Sequence, residues 1–145
     1  MNPKIILLIE DQPDDEELTM RALGKNKTNN KVVVVRDGVE ALEYLFGTGS
    51  YPGCGESAMP HLILLDLKLP KVDGLEVLKR LRADARTRFL PIVIMTASQE
   101  EQDLIQSYQL GANSYIRKPI DIVDFTRSVQ QLGLYWLAPN EPVPA

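Results

Sequence analysis

A chain of 145 residues, 44% apolar and 25% charged, can build one domain with a real core; the balance excludes disorder and a collagen-like fibre. Sixteen basic side chains against twenty acidic ones leave a net charge of −4, which argues against a nucleic-acid surface. The run Ile5 to Ile9 is too short to span a bilayer or serve as a secretory signal, and the single cysteine, Cys54, cannot form an internal disulfide, so a cytoplasmic protein without membrane contact is expected.

Four continuous apolar runs come in turn: Ile5 to Ile9, Val32 to Val35, Leu62 to Leu65 and Ile92 to Met95. None alternates with polar residues, so each reads as a strand buried on both faces, the mark of a helix-covered parallel sheet. Ser114 to Ile116, after the Gly111 turn, reads as a fifth strand. Helical patterns lie between and after them. The first has Leu18, Ala22 and Leu23 as its apolar face; the second has Val39, Leu42 and Leu45 or Phe46. The third has Leu75, Leu78 and Leu81, with Lys79, Arg80 and Arg82 pointing away. Leu104, Ile105 and Tyr108 make the fourth face, and Phe125, Val129 and Leu132 the fifth. Ser98 with Glu101 has capping-box spacing and would start the fourth helix; Asp121 would cap the fifth. Right-handed crossovers on both faces then give a doubly wound, five-stranded parallel sheet in a three-layer α/β sandwich. Residues 47 to 60 read as a long loop, and 138–145, with Pro139, Pro142 and Pro144, as an extended tail.

In such a sheet ligands bind beyond the carboxyl ends of the strands, where strand order reverses. Glu10 and Asp11 follow the first run, Asp66 the third, Thr96 the fourth, and Lys118 with Pro119 the fifth. Three carboxylates held together repel one another unless a cation joins them. Oxygen donors suit Mg²⁺, and an Asp can attack phosphorus to form an acyl phosphate. Lys118 supplies a positive point charge, and Thr96 a hydroxyl donor for a phosphoryl oxygen. A flavin or nucleotide site would want a small, amide-rich loop after the first strand; here Asp11-Gln12-Pro13-Asp14-Asp15 repels phosphate. Asp14, Asp15, Glu16 and Glu17 are explained by the dipole of the first helix, and no chemistry is assigned to them. His61 falls at the opposite end of the sheet from the acids, and nothing marks Cys54 as reactive.

These residues bring a family with them. Leu8-Ile9-Glu10-Asp11, Asp37-Gly38-Val39-Glu40-Ala41-Leu42, Leu64-Leu65-Asp66-Leu67-Lys68-Leu69-Pro70, Asp73-Gly74, Met95-Thr96-Ala97 and Tyr115-Ile116-Arg117-Lys118-Pro119 occur in order. Together they make the chain resemble the receiver domain of bacterial two-component response regulators, from about Lys4 to Leu132. The resemblance implies a (βα)5 flavodoxin-like fold, with one receiver domain over 1–137 and the tail after it. It implies that Asp66 is the phosphoacceptor and that Asp11, Asp66 and the backbone carbonyl of Lys68 hold Mg²⁺, with Glu10 acting through water. Thr96 and Lys118 would contact the phosphoryl group, and Tyr115 would be the switch aromatic. The partner implied is a sensor histidine kinase. The long loop before His61 and the ending Leu134-Tyr135-Trp136-Leu137 resemble the stand-alone subgroup paired with bacterial phytochrome-type kinases, in which homodimers are common. Tyr135 and Trp136 would then be dimer contacts.

The expected function is a stand-alone phosphorylation switch rather than an enzyme acting on small substrates. A phosphorylation-independent adaptor is the alternative. A haloacid-dehalogenase-like phosphohydrolase would want a second acid two residues past the nucleophile, where Lys68 stands.

Overall fold

The computed structural model describes residues 4–24, 30–47, 59–118 and 121–134. Strands and helices alternate as β1 (Lys4–Ile9), α1 (Pro13–Gly24), β2 (Asn30–Val35), α2 (Gly38–Phe46), β3 (Leu62–Asp66), α3 (Gly74–Ala83), β4 (Ile92–Thr96), α4 (Glu101–Gln109), β5 (Ser114–Arg117) and α5 (Ile122–Gln131). All strand pairs are parallel, in the order β2-β1-β3-β4-β5. The order reverses between β1 and β3, so the crevice of a doubly wound sheet opens beside the ends of those two strands.

The unbroken apolar runs are strands because both their faces are covered. Every residue of β3 and β4 is buried, as are the last four of β1. Side chains alternate across the sheet. Leu7, Ile9, Ile63, Leu65, Ile92 and Ile94 pack on one face with Ala41 and Leu45 of α2 and Val77, Leu78 and Leu81 of α3. Ile6, Leu8, Leu62, Leu64, Val93 and Met95 pack on the other with Leu23 of α1 and Phe125 of α5. Each such fully buried side chain contributes about 1.5–3 kcal/mol. Among the described residues no helix is long and apolar enough to cross a membrane.

Several helix phases differ from the sequence pattern. In α1, Thr19 and Leu23 are buried while Leu18 is 48% exposed. In α2, the inward residues are Ala41, Tyr44 and Leu45, and Val39 faces out. The change is largest in α4. Asp103 and Ser107 are its buried residues, whereas Ile105 and Tyr108 are 47% and 50% exposed. Hydrogen bonds set that phase, with Ser107 Oγ donating to the Asp103 carbonyl and Ser98 Oγ to the Asp103 carboxylate. The Ser98–Glu101 capping box does not form. Glu100 is the N-cap without a side-chain bond, and the Ser98 hydroxyl oxygen accepts from the Glu100 amide at 3.2 Å rather than from that of Glu101. Arg82 does not point away. Its guanidinium bonds the carbonyls of Gly111, Thr87 and Arg88 and the side chain of Asn113, tying α3 to the turn before β5. Asp121 caps α5 as expected, accepting from the amides of Val123 and Asp124.

Two glycines bring loops together below the site. The Gly38 amide donates to the Pro70 carbonyl, and that of Gly74 to the Leu67 carbonyl. A Cβ on Gly38 would overlap the Val72 carbonyl, and one on Gly74 the Asp66 carbonyl. The loop after Asp66 is thus clamped between the starts of α2 and α3. The expectations for Cys54, Tyr135, Trp136 and the 138–145 tail lie outside the described residues, as does most of the 47–60 loop.

Candidate functional site

The carboxyl ends of β1, β3, β4 and β5 deliver the site. The Glu10 amide donates to the Val35 carbonyl at 3.0 Å, carrying the ladder one residue past β1 and turning the Glu10 side chain under the sheet edge, fully buried. Asp66 ends β3 and Thr96 ends β4; both are buried. The Lys118 amide donates to the Thr96 carbonyl at 2.9 Å, which fixes where the lysine leaves β5.

Lys118 reaches back across the crevice. Its ammonium lies 2.5 Å from Glu10 Oε1, 2.9 Å from Asp15 Oδ2 and 3.0 Å from Asp66 Oδ2, and its side chain is only 8% exposed. Glu10, Asp11 and Asp66 each present one carboxylate oxygen, all within 4.8 Å of one another. The Lys68 amide donates to Asp66 Oδ1 at 3.2 Å, and the Gln12 amide to Glu10 Oε2 at 3.2 Å.

Three carboxylates therefore share one ammonium, with Asp11 beside them. Burial drives the Glu10 carboxyl up to about 7, with Asp66 adding to the rise and Lys118 opposing it. Burial opposes the charge on Lys118, but its bonds to Glu10, Asp15 and Asp66 outweigh that and hold the ammonium above its ordinary range. The residues fit a hard divalent cation on two counts. They leave negative charge uncompensated, and Asp11 Oδ1 is buried with no hydrogen-bond partner among the described residues. Asp11 and Asp66, with Glu10 behind them, would hold such an ion.

The sequence-derived set thus meets. Glu10, Asp11, Asp66 and Lys118 share one cluster, and Thr96 stands one strand away, its Oγ1 accepting from the Ser98 amide at 3.2 Å. Tyr115 packs against the apolar core of the α2–α3 face. Its hydroxyl is buried without a partner among the described residues, and burial, then the nearby charge of Asp103, raises the phenol above its usual range. The Lys68 side chain points away from Asp66, with its ammonium 3.6 Å from Asp103. Asp15 was the residue sequence reasoning missed. It was explained by the helix dipole alone, yet α1 begins directly under the crevice and its first turn faces Lys118.

The response regulator receiver domain model matches residues 6–130. The probable methanogenesis regulatory protein FilR2 of Methanothrix harundinacea is 41% identical over 99% of this chain and 91% of its own. Response regulator Rcp1 of Synechocystis is 38% identical over 93% of this chain and 90% of its own. A crystal structure of the Mn²⁺-bound form of Rcp1 superposes with a TM-score of 0.78 at 36% identity, over 99% of this chain and 100% of that one. The bacteriophytochrome response regulator AtBRR superposes with a TM-score of 0.84 at 49% identity, over 97% of this chain and 100% of that one.

Proposed function

The chain belongs to the response regulator receiver domain family, and on that premise we propose that it is a stand-alone phosphorylation switch in a two-component relay, with Asp66 as the acceptor. The observation that carries this reading is the meeting of Glu10, Asp11 and Asp66 around one point, with Lys118 bridging Glu10 and Asp66. That FilR2 and Rcp1 are matched over most of their own lengths supports the stand-alone form.

A carboxylate oxygen of Asp66 bonds to phosphorus as the P–N bond of the kinase's phosphohistidine breaks. The electron pair leaves on the imidazole nitrogen, which recovers a proton from solvent. Asp11 and Asp66, with the Lys68 carbonyl and Glu10 through water, would hold Mg²⁺, which would neutralise charge on the phosphoryl oxygens. Lys118 releases Asp66 and pairs with a phosphoryl oxygen, while the Thr96 hydroxyl turns from its local bond to donate to another. The clamped loop after Asp66 keeps the acceptor in place. The added charge shifts an equilibrium between two conformations, with Tyr115 as the aromatic that moves. The chain assists its own phosphorylation and dephosphorylation without turning over small substrates.

For the partner we propose a phytochrome-type histidine kinase, on the strength of the bacteriophytochrome response regulator AtBRR. FilR2, of comparable identity, favours a kinase of another kind as the second reading. The test is phosphotransfer with Mg²⁺ from autophosphorylated kinases of both kinds to the wild type and Asp66→Asn. Rapid transfer from the phytochrome-type kinase to the wild type alone is expected. Transfer only from the other kinase changes the partner, and label retained by Asp66→Asn refutes the acceptor.

A further inference from the structure

Lys68 and Ser98 occupy equivalent places beside the two reacting strand ends. Lys68 lies two residues past Asp66, and its amide donates to Asp66 Oδ1 at 3.2 Å. Ser98 lies two residues past Thr96, and its amide donates to Thr96 Oγ1 at 3.2 Å. Their side chains run to one shared acceptor. Ser98 Oγ donates to Asp103 Oδ2 at 2.6 Å, and Lys68 Nζ lies 3.6 Å from that same oxygen. Asp103 is buried on the inner face of α4, where an unpaired carboxylate would be costly. These two donors are its compensation, and they explain why a polar residue sets the phase of that helix.

Both donors are easily redirected. The Lys68 ammonium sits on a long stem that is 69% exposed, and its pairing with Asp103 is correspondingly weak. The Ser98 hydroxyl can turn its proton to a new acceptor while its oxygen keeps the Glu100 amide. A phosphoryl group on Asp66 would add negative charge and three strong acceptor oxygens at the end of β3, to which the Lys68 backbone is tied, beside the end of β4, to which the Ser98 backbone is tied. We propose that Asp103 is a positioning residue that competes with a phosphoryl group on Asp66 for the side chains of Lys68 and Ser98. The inference rests on Asp66 being the acceptor. It makes α4 the element that loses two tethers when the group arrives, and it couples the strength of those tethers to the stability of the phosphorylated form. Tyr115 stands within the same electrostatic reach, since the charge of Asp103 contributes to raising its phenol.

The test measures the affinity of the full chain for beryllofluoride with Mg²⁺, by calorimetry. Asp103→Asn keeps the shape of the side chain and removes the charge that draws Lys68. It is expected to bind about fivefold more tightly than the wild type, at the lower end of ordinary coupling energies. Lys68→Met, a surface change, is expected to weaken binding, and in that background the gain from Asp103→Asn is expected to shrink to less than about twofold. A purely structural role for Asp103 would not produce that dependence on Lys68. Unchanged or weaker binding by Asp103→Asn, an equal gain in both backgrounds, or wild-type affinity in Lys68→Met would each overturn the competition while leaving Asp66 as the acceptor. Absence of binding by the wild type, or its persistence in Asp66→Asn, would overturn the acceptor and this inference with it.

Discussion

Glu10→Gln removes a charge that the fold holds against its own interest. The Glu10 carboxyl stands at about 7 instead of its ordinary 4.5, first because it is buried and then because Asp66 adjoins it, with Lys118 compensating only in part. Each decade of acidity corresponds to about 1.4 kcal/mol, so keeping Glu10 ionised costs the folded state roughly 3 kcal/mol. The folded value lies above the unfolded one. The folded chain therefore holds the proton more tightly, and this contribution to stability is complete below pH 4.5 and lost as pH rises through about 7. Glutamine has no proton to lose. Urea unfolding with a chelator present should show Glu10→Gln gaining roughly 2–3 kcal/mol on the wild type between pH 5 and pH 8, or about 1 M in midpoint. Millimolar Mg²⁺ should diminish that gain at pH 8, since the cation needs the ionised acid. An equal difference at both pH values, or a variant that loses ground as pH rises, would refute the reasoning.

The same titration governs metal affinity: calorimetry should show Mg²⁺ binding tightening about tenfold from pH 6 to pH 8 as Glu10 gives up its proton. Lys118→Met strips the shared cation from Glu10, Asp15 and Asp66. It should cost about 3–5 kcal/mol in urea unfolding at pH 8, and less at pH 6, where Glu10 is protonated. Gly74→Ala forces a Cβ onto the Asp66 carbonyl. It should cost about 1–3 kcal/mol in thermal unfolding and slow phosphorylation from acetyl phosphate by displacing the acceptor.

The sheet was legible because its strands are continuous apolar runs, a pattern that a solvated strand cannot carry. The site followed from topology, since residues just past those runs must share an edge once the crossovers are all of one hand. Helix phase was less legible. Apolar spacing pointed to Leu104, Ile105 and Tyr108 in α4, but the buried pair is Asp103 and Ser107, held by polar bonds that hydrophobic periodicity does not register. Arg82 read as a solvent-facing charge because its acceptors, Gly111 and Asn113, are far along the chain. Asp15 was hidden by a sufficient local explanation. Any acid in the first turn of a helix favours the dipole, and only the crossover of α1 beneath the crevice turns this one toward Lys118.

The proposed switch requires that strand ends far apart in sequence form one cation-assisted acceptor site on Asp66. Its most direct test is to treat the full chain with acetyl phosphate, reduce it with borohydride, and map the product by tandem mass spectrometry. Homoserine is expected at position 66, dependent on Mg²⁺ and formed at no other carboxylate. Reduction at a different residue, or labelling of Asp66 that persists undiminished in chelator, would contradict it.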